Sequence, residues 1–253
     1  MDIHRTLSAG CKTPLIIAHR GARREAQENT LPAFRLALEL GAGGIELDVM
    51  LTSDLVPVVT HNDNLSILTP FHGHVRATPY ETIRSLNVGA GAGRPGTTMP
   101  TLPEALSLIG RSRVLTIVEI KSQRGMAAKA AEIVGNTISD ADMQGPVVVS
   151  SFSVRIIREM AKCHPQFARA LIIKGQAFSF LRSEVFARLM RLSAIHASLG
   201  SLSPGLVGRM HRRGVEVHAW TVNRPEDFDR CVALGVDGVI TDDVRFALAH
   251  FAA

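Results

Sequence analysis

Six polar side chains stand at the ends of short apolar runs, where a folded chain can gather them: His19 and Arg20, Glu46 and Asp48, Glu119 and Lys121. Residues two apart on a strand share a face. Glu46 and Asp48 therefore point together, as do Glu119 and Lys121, while Ile45, Leu47 and Val49 point the opposite way into an apolar layer. Three carboxylates drawn to one place repel one another unless a cation sits among them. An all-oxygen ligand set selects a hard divalent ion, Mg²⁺ or Ca²⁺, over zinc.

A second histidine reaches the same place through a hairpin. Val49 to Thr60 is centred on Asp54-Leu55, and pairing 53 with 56 and 50 with 59 brings His61 back opposite Asp48. A two-residue turn favours glycine where Leu55 stands, so a longer turn with the register slipped by one is the alternative. His19 and His61 then flank a metal held by Glu46, Asp48 and Glu119. Two imidazoles beside a metal-bound oxyanion suit general acid–base cleavage of a phosphodiester. One takes a proton from the nucleophile and the other gives one to the leaving alkoxide. The metal and the Arg20 guanidinium neutralise charge growing on the phosphoryl oxygens.

The elements that must position these groups alternate. Strands are expected at 14–19, 43–49, 56–61, 114–121, 146–151, 168–173, 193–198, 215–221 and 236–241, with helices at 30–40, 102–109, 126–138, 154–162, 178–192, 204–213, 225–234 and 244–251. That alternation argues for βα units around a parallel sheet, and strand ends are where a barrel keeps its chemistry. Nine strands exceed the eight of a barrel, and the hairpin resolves the count by making 56–61 an arm of the second strand. Pro32, Pro103 and Pro225 stand near helix starts, and Gly41, Gly214 and Gly235 follow helical runs as C-terminal caps. Residues 40–48 and 234–242 echo each other as helix end, glycine turn, buried strand and terminal acid. Residues 62–101, rich in Gly and Pro, read as an inserted lobe.

The chain of 253 residues is 46% hydrophobic and 20% charged, with a formal charge of +5, which suits one soluble barrel and an anionic small-molecule substrate. Its basic residues form no run of five or six, which argues against a nucleic-acid partner. No apolar stretch approaches the roughly 18–20 residues of a membrane span, and the first residues read as a short loose arm without a signal-peptide core. Three separated cysteines, Cys11, Cys163 and Cys231, suit a reducing compartment, and the cytoplasm is expected.

The ordered set Ala18-His19-Arg20-Gly21, Glu28-Asn29-Thr30, Glu46-Leu47-Asp48, Thr52-Ser53-Asp54, Pro57 to His61 and Glu119-Ile120-Lys121 resembles the glycerophosphodiester phosphodiesterases. Ser151-Phe152, Trp220-Thr221-Val222-Asn223 and Gly235 to Asp242 match the same family's later strands, so the resemblance covers residues 15–243. It implies an α/β fold, a TIM (β/α)8 barrel with a small insertion after the second strand, spanning 1–253 as a single domain with 62–101 as the inserted cap. It implies a divalent cation on Glu46, Asp48 and Glu119, and His19 and His61 as the acid–base pair. Phosphate contacts fall to Arg20 and Lys121, with Trp220 as an apolar wall beside glycerol. The reaction implied is hydrolysis of a small-molecule glycerophosphodiester to sn-glycerol 3-phosphate and an alcohol. The chain departs from the family pattern after His61, where Asn62 precedes Asp63 and an arginine is missing, which alters the pocket rim.

The remaining candidates take plainer readings. His72 and His74 are expected to be solvated, His218 to be a satisfied interior histidine, and Asp242 to cap the last helix rather than contact a substrate hydroxyl. Phe178, Phe180, Leu181, Val185 and Phe186 read as a core stripe, and Arg23, Arg24 and Arg35 as a solvated face. Two other functions share the same residues: lysophospholipase D activity on lysophospholipids, or a non-catalytic phosphodiester-binding barrel.

Overall fold

The β-branched runs become strands. In the computed structural model, which describes residues 13–89, 96–175 and 191–252, these are β1 (Leu15–His19), β2 (Gly44–Leu51), β3 (Pro57–Val59), β4 (Asn87–Val88), β5 (Thr97–Thr98) and β6 (Leu115–Ile120). β7 (Val147–Ser151), β8 (Ala168–Ile173), β9 (Ala194–Ser198), β10 (Glu216–Trp220) and β11 (Gly238–Thr241) follow. Eight of them pair in parallel in the order β1, β2, β6, β7, β8, β9, β10, β11, and β11 pairs back onto β1. The result is the expected closed TIM barrel. β3 lies antiparallel on β2, outside the ring, so the ninth strand is an arm of the second.

Helices α1 (Leu31–Leu40), α2 (Tyr80–Ile83), α3 (Leu102–Ile109), α4 (Ala127–Asp140) and α5 (Val154–Cys163) alternate with these strands, followed by α6 (Pro204–His211), α7 (Pro225–Leu234) and α8 (Val244–Ala252). Their ends follow local chemistry. Thr101 and Glu104 form a reciprocal capping box at α3, satisfying backbone donors that the first turn leaves without partners. α1 and α7 stop on Gly41 and Gly235, at φ 91° and 69°, a left-handed conformation that glycine adopts at no steric cost. The echo between 40–48 and 234–242 is thus one helix–cap–strand unit used twice. The expected arm at the N-terminus and nearly all of the helix expected at 178–192, with its phenylalanine stripe, fall outside the described residues.

Strand alternation divides the core. Ile45, Leu47 and Val49 pack outward against Phe34, Ala37 and Leu106 of the helices. Ile17, Ile117, Val148, Ala170, Ala194 and Ile240 fill the barrel interior. Each inner residue precedes a polar or pocket-lining one by two places: His19, Glu119, Ser150, Ile172, His196 and Asp242. An apolar plug therefore floors the barrel below the level where the chemistry sits.

The hairpin register differs from the first of the two expected. Val49 opposes Val59, Met50 opposes Val58 and Leu51 opposes Pro57, one residue off the 53-with-56 pairing. The cause lies in the turn. Leu55 adopts φ 67°, and Thr52 N donates to Val56 O at 3.0 Å, so three residues are looped out rather than two. Thr60 rather than His61 then lies opposite Asp48, with Thr60 N donating to Asp48 O at 2.9 Å, and His61 follows one residue beyond. Residues 62–101 carry two 3₁₀ turns, α2 and the β4–β5 hairpin. Leu65, Val75, Ile83, Val88 and Met99 bury a small apolar cluster with Met50 and Val58.

Candidate active site

The mouth of the barrel opens on a cavity of about 240 Å³ lined by His19, Arg20, Glu46, His61, Glu119, Lys121 and Trp220, among others. Of the eight residues expected from the sequence, seven reach this wall. The eighth, Asp48, lies behind it, 1% exposed.

The turn after β1 makes the first contacts. Arg20 sits at φ 58° and Gly21 at φ 81°. A Cβ on Gly21 would fall 2.7 Å from the Ala33 backbone carbon, so only glycine lets the chain pass this close to α1. The reversal points Arg20 N at Glu46 Oε2, 3.0 Å away. It also sets the guanidinium on Glu28 at 2.9 Å and on Asp48 at 3.1 Å. Asn29, also left-handed at φ 56°, donates Nδ2 to Asp48 Oδ2 at 2.8 Å and accepts from Asp48 N at 3.2 Å. The Glu28-Asn29-Thr30 run thus serves to seat Arg20, to fix Asp48 and to begin α1.

Carboxylate oxygens of Glu46, Asp48 and Glu119 come within 4.8 Å of one another, all three residues buried. Lys121 bridges two of them, its Nζ 2.8 Å from Asp48 and 2.6 Å from Glu119. Burial pushes Glu46 well above the usual carboxylate range, and the charges of Asp48 and Glu119 add to the rise. Burial, then Asp48, raises Glu119 to about 7 against the pull of Lys121. Burial works on Asp48 in the same sense, but Lys121, Arg20 and His61 outweigh it and hold Asp48 well below the ordinary range. Lys121 and Arg20 thus favour the ionised form of Asp48, while burial and like charge oppose ionisation of Glu46 and Glu119. A hard divalent ion among these oxygens would relieve that opposition, so the donor set fits such an ion.

The two histidines have different backing. His19 Nδ1 lies 2.6 Å from Asp242 Oδ1. Asn223 Nδ2 holds the other Asp242 oxygen at 2.8 Å, and Arg23 approaches Oδ1 at 3.3 Å. Burial favours a raised Asp242 pKa, but His19, Asn223 and Arg23 overcome it and hold the group down at about 2. His61 Nδ1 lies 3.2 Å from Asn62 Oδ1. Burial lowers the His61 pKa, with Lys121 and Arg20 reinforcing the fall and Asp48 opposing it.

Two sequence expectations change here. Asp242 does not cap α8; Asp243 does, accepting from Phe246 N at 3.0 Å, and Asp242 instead backs His19. Arg23 is no free solvated group, for it pairs with Glu28 at 2.5 Å as well as with Asp242. The pocket wall also holds Ser150, Lys174 and His196, which the sequence pattern did not single out, and Phe152, which it marked only as part of the family resemblance. Position at or near a strand's C-terminal end was the available signal for each. Phe152 meets Trp220 edge-on, ring centroids 5.6 Å apart, so Trp220 is one half of an aromatic corner.

The glycerophosphoryl diester phosphodiesterase family model matches residues 19–245. The chain belongs to that family. A glycerophosphodiester phosphodiesterase of Caldanaerobacter subterraneus subsp. tengcongensis is 36% identical over 90% of this chain and 94% of its own length. A solved glycerophosphodiester phosphodiesterase of Agrobacterium tumefaciens superposes with a TM-score of 0.77 at 25% identity, covering 94% of this chain and all of its own. A phosphodiesterase of Oleispira antarctica, solved in complex with the product sn-glycerol-3-phosphate, shares the fold at a TM-score of 0.88 and 24% identity, over 95% of this chain and 98% of that one. Membership in the glycerophosphoryl diester phosphodiesterase family makes this chain a phosphoric diester hydrolase. Among the described residues no helix is long and apolar enough to cross a membrane.

Proposed function

We propose that the protein hydrolyses glycerophosphodiesters to sn-glycerol 3-phosphate and an alcohol, with His19 and His61 as the acid–base pair and a divalent cation, Mg²⁺ or Ca²⁺, on Glu46, Asp48 and Glu119. The observation that carries this reading is the meeting of both histidines and the buried carboxylates at one cavity. The 36% identical relative supports the substrate class. The cation, when bound, supplies Lewis-acid polarisation of the phosphoryl group.

The chain's own residues do the rest. Asp242 engages His19 Nδ1 and Asn62 engages His61 Nδ1, so in each ring Nε2 is the nitrogen left to exchange a proton with substrate. One ring removes a proton from the attacking hydroxyl and the other donates to the departing alkoxide. Arg20 and Lys121, held by buried carboxylates, present fixed positive charge to the phosphoryl oxygens. Trp220 packs against the carbon skeleton of glycerol. Free Cys163 and Cys231 suit a reducing cytoplasm.

The test is product release. Purified protein with Mg²⁺ or Ca²⁺ liberates glycerol 3-phosphate from glycerophosphocholine or glycerophosphoethanolamine, and EDTA or His19→Ala abolishes it. Turnover that survives both treatments overturns the mechanism.

A further inference from the structure

The cavity has a second polar wall that the acid–base and cation chemistry leaves unused. In the ring order β2 and β9 are four strands apart, diametrically opposite in a barrel of eight. Glu46 on β2 therefore looks across the cavity at His196 on β9, and both line it. His196 is 2% exposed, and its Nε2 is buried with no hydrogen-bond partner. Ser150, on β7, is fully buried, lines the same cavity, and its Oγ likewise has no partner. Between them, on and just after β8, stand Ile172 and Lys174, with Ile240 and Trp220 further round the wall. A buried polar atom without a partner is costly, and two on one wall of a cavity mark a place where a ligand's polar atom is received.

The surroundings fix the kind of atom. His218 stacks on His196, ring centroids 5.1 Å apart and planes 16° from parallel. The His196 carbonyl accepts from Trp220 Nε1 at 3.0 Å, so ring and backbone are both held from the neighbouring strand β10. Burial, with His218 adding to it, keeps the His196 pKa well below its ordinary value. A neutral imidazole offers one donor and one acceptor, as does a serine hydroxyl. This pair matches an alcohol, which both gives and takes a hydrogen bond, better than it matches a phosphate, which is a pure acceptor.

We infer that His196 and Ser150 form a hydroxyl-recognition subsite for the glycerol half of the substrate, receiving its free terminal hydroxyl opposite Glu46. This rests on the glycerophosphodiester reading and deepens it by naming what selects glycerol over a simpler diol. The two residues are specificity determinants and take no part in proton transfer.

The experiment compares glycerophosphocholine with 2-hydroxypropyl phosphocholine, which lacks only the terminal hydroxyl. Wild type is expected to favour the glycerol compound by about 100-fold or more in kcat/KM, because a site built to bond a hydroxyl rejects the analogue without one. His196→Leu and Ser150→Ala are each expected to cut that ratio at least tenfold, through KM for the glycerol compound. His196→Gln, which keeps a donor and an acceptor, restores part of the ratio. A purely structural defect lowers both substrates together and leaves the ratio intact, so an unchanged ratio in both variants overturns the inference while the phosphodiesterase reading stands. Absence of wild-type turnover on any glycerophosphodiester overturns that reading and the subsite with it.

Discussion

His19 Nδ1 and Asp242 Oδ1 lie 2.6 Å apart, a contact between residues 223 positions apart in the chain that spans the seam where β11 pairs with β1. Closing the barrel is what completes this dyad. Asp242→Asn keeps the shape but replaces an acceptor-only carboxylate with an amide that can turn its donor toward the ring, freeing the imidazole to take the wrong tautomer. The expected result is a fall in kcat of about 10²-fold or more, within the range general acid–base catalysis contributes, with KM little changed. Equal kcat in variant and wild type would remove Asp242 from the catalytic apparatus.

The same carboxylate carries a pH signature. Its folded-state pKa of about 2 lies below the roughly 3.9 of an unfolded aspartate. A depressed acid contributes stability that is present in full above the unfolded value and is lost as pH falls toward the folded one. The Tm gap between wild type and Asp242→Asn is therefore expected to be widest near neutrality and to narrow between about pH 4 and pH 2. Thermal scans across that window decide it, and a gap that widens on acidification contradicts the assignment.

Glu46 and Asp48 share a face but not a burden. Asp48 binds Lys121, Arg20 and Asn29, and removing its charge leaves Lys121 on Glu119 alone and Arg20 on Glu28 alone. Asp48→Asn is expected to cost folding stability, by less than the roughly 3–5 kcal/mol of a buried charge left wholly unpaired. Glu46→Gln, at a site where burial already opposes the charged form, is expected to leave stability without added cation nearly unchanged while abolishing cation-dependent turnover. Urea titrations with EDTA present separate the two; equal losses would refute the division.

Gly21 is expected to tolerate nothing larger. Gly21→Ala places a Cβ against the Ala33 backbone at 2.7 Å and forces a side chain to φ 81°. The left-handed conformation alone costs roughly 1–2 kcal/mol. The turn that moves also carries Arg20 N away from Glu46, so activity falls together with stability. Wild-type kcat/KM in a folded Gly21→Ala protein would show that Arg20 does not depend on this turn.

Much of this was legible in the sequence because strand alternation is a strict period of two. Once Glu46-Leu47-Asp48 and Glu119-Ile120-Lys121 are strand ends, their inward faces follow, and both histidines join them. The hairpin register was not fixed in advance because it hangs on one torsion: Leu55 accepts a left-handed φ that its residue type disfavours. Asp242 was open to misreading because an acid before a helix is usually a cap, and here its neighbour Asp243 does that work. The pairing of Asp242 with His19 exists only after the ring closes, and no local pattern encodes closure. His196 escaped for a different reason. In an apolar strand it has the profile of a core residue, and only the ring order shows that it faces Glu46.

The small cluster beneath the insertion has a consequence for how this barrel can be altered. Met50 and Val58, on the two arms of the hairpin that carries His61, share one apolar nucleus with Leu65, Val75, Ile83, Val88 and Met99. Val59 N donates to Pro100 O at 2.8 Å, and Ser53 N donates to Thr78 O at 3.1 Å. Hairpin and insertion are therefore one inheritable cassette, with its natural cut points just after Asp48 and just before α3. A chimaera that swaps the insertion alone between relatives tears the nucleus in half and unseats a histidine it never touched; one that swaps residues 49–101 together carries the histidine along on its own foundation.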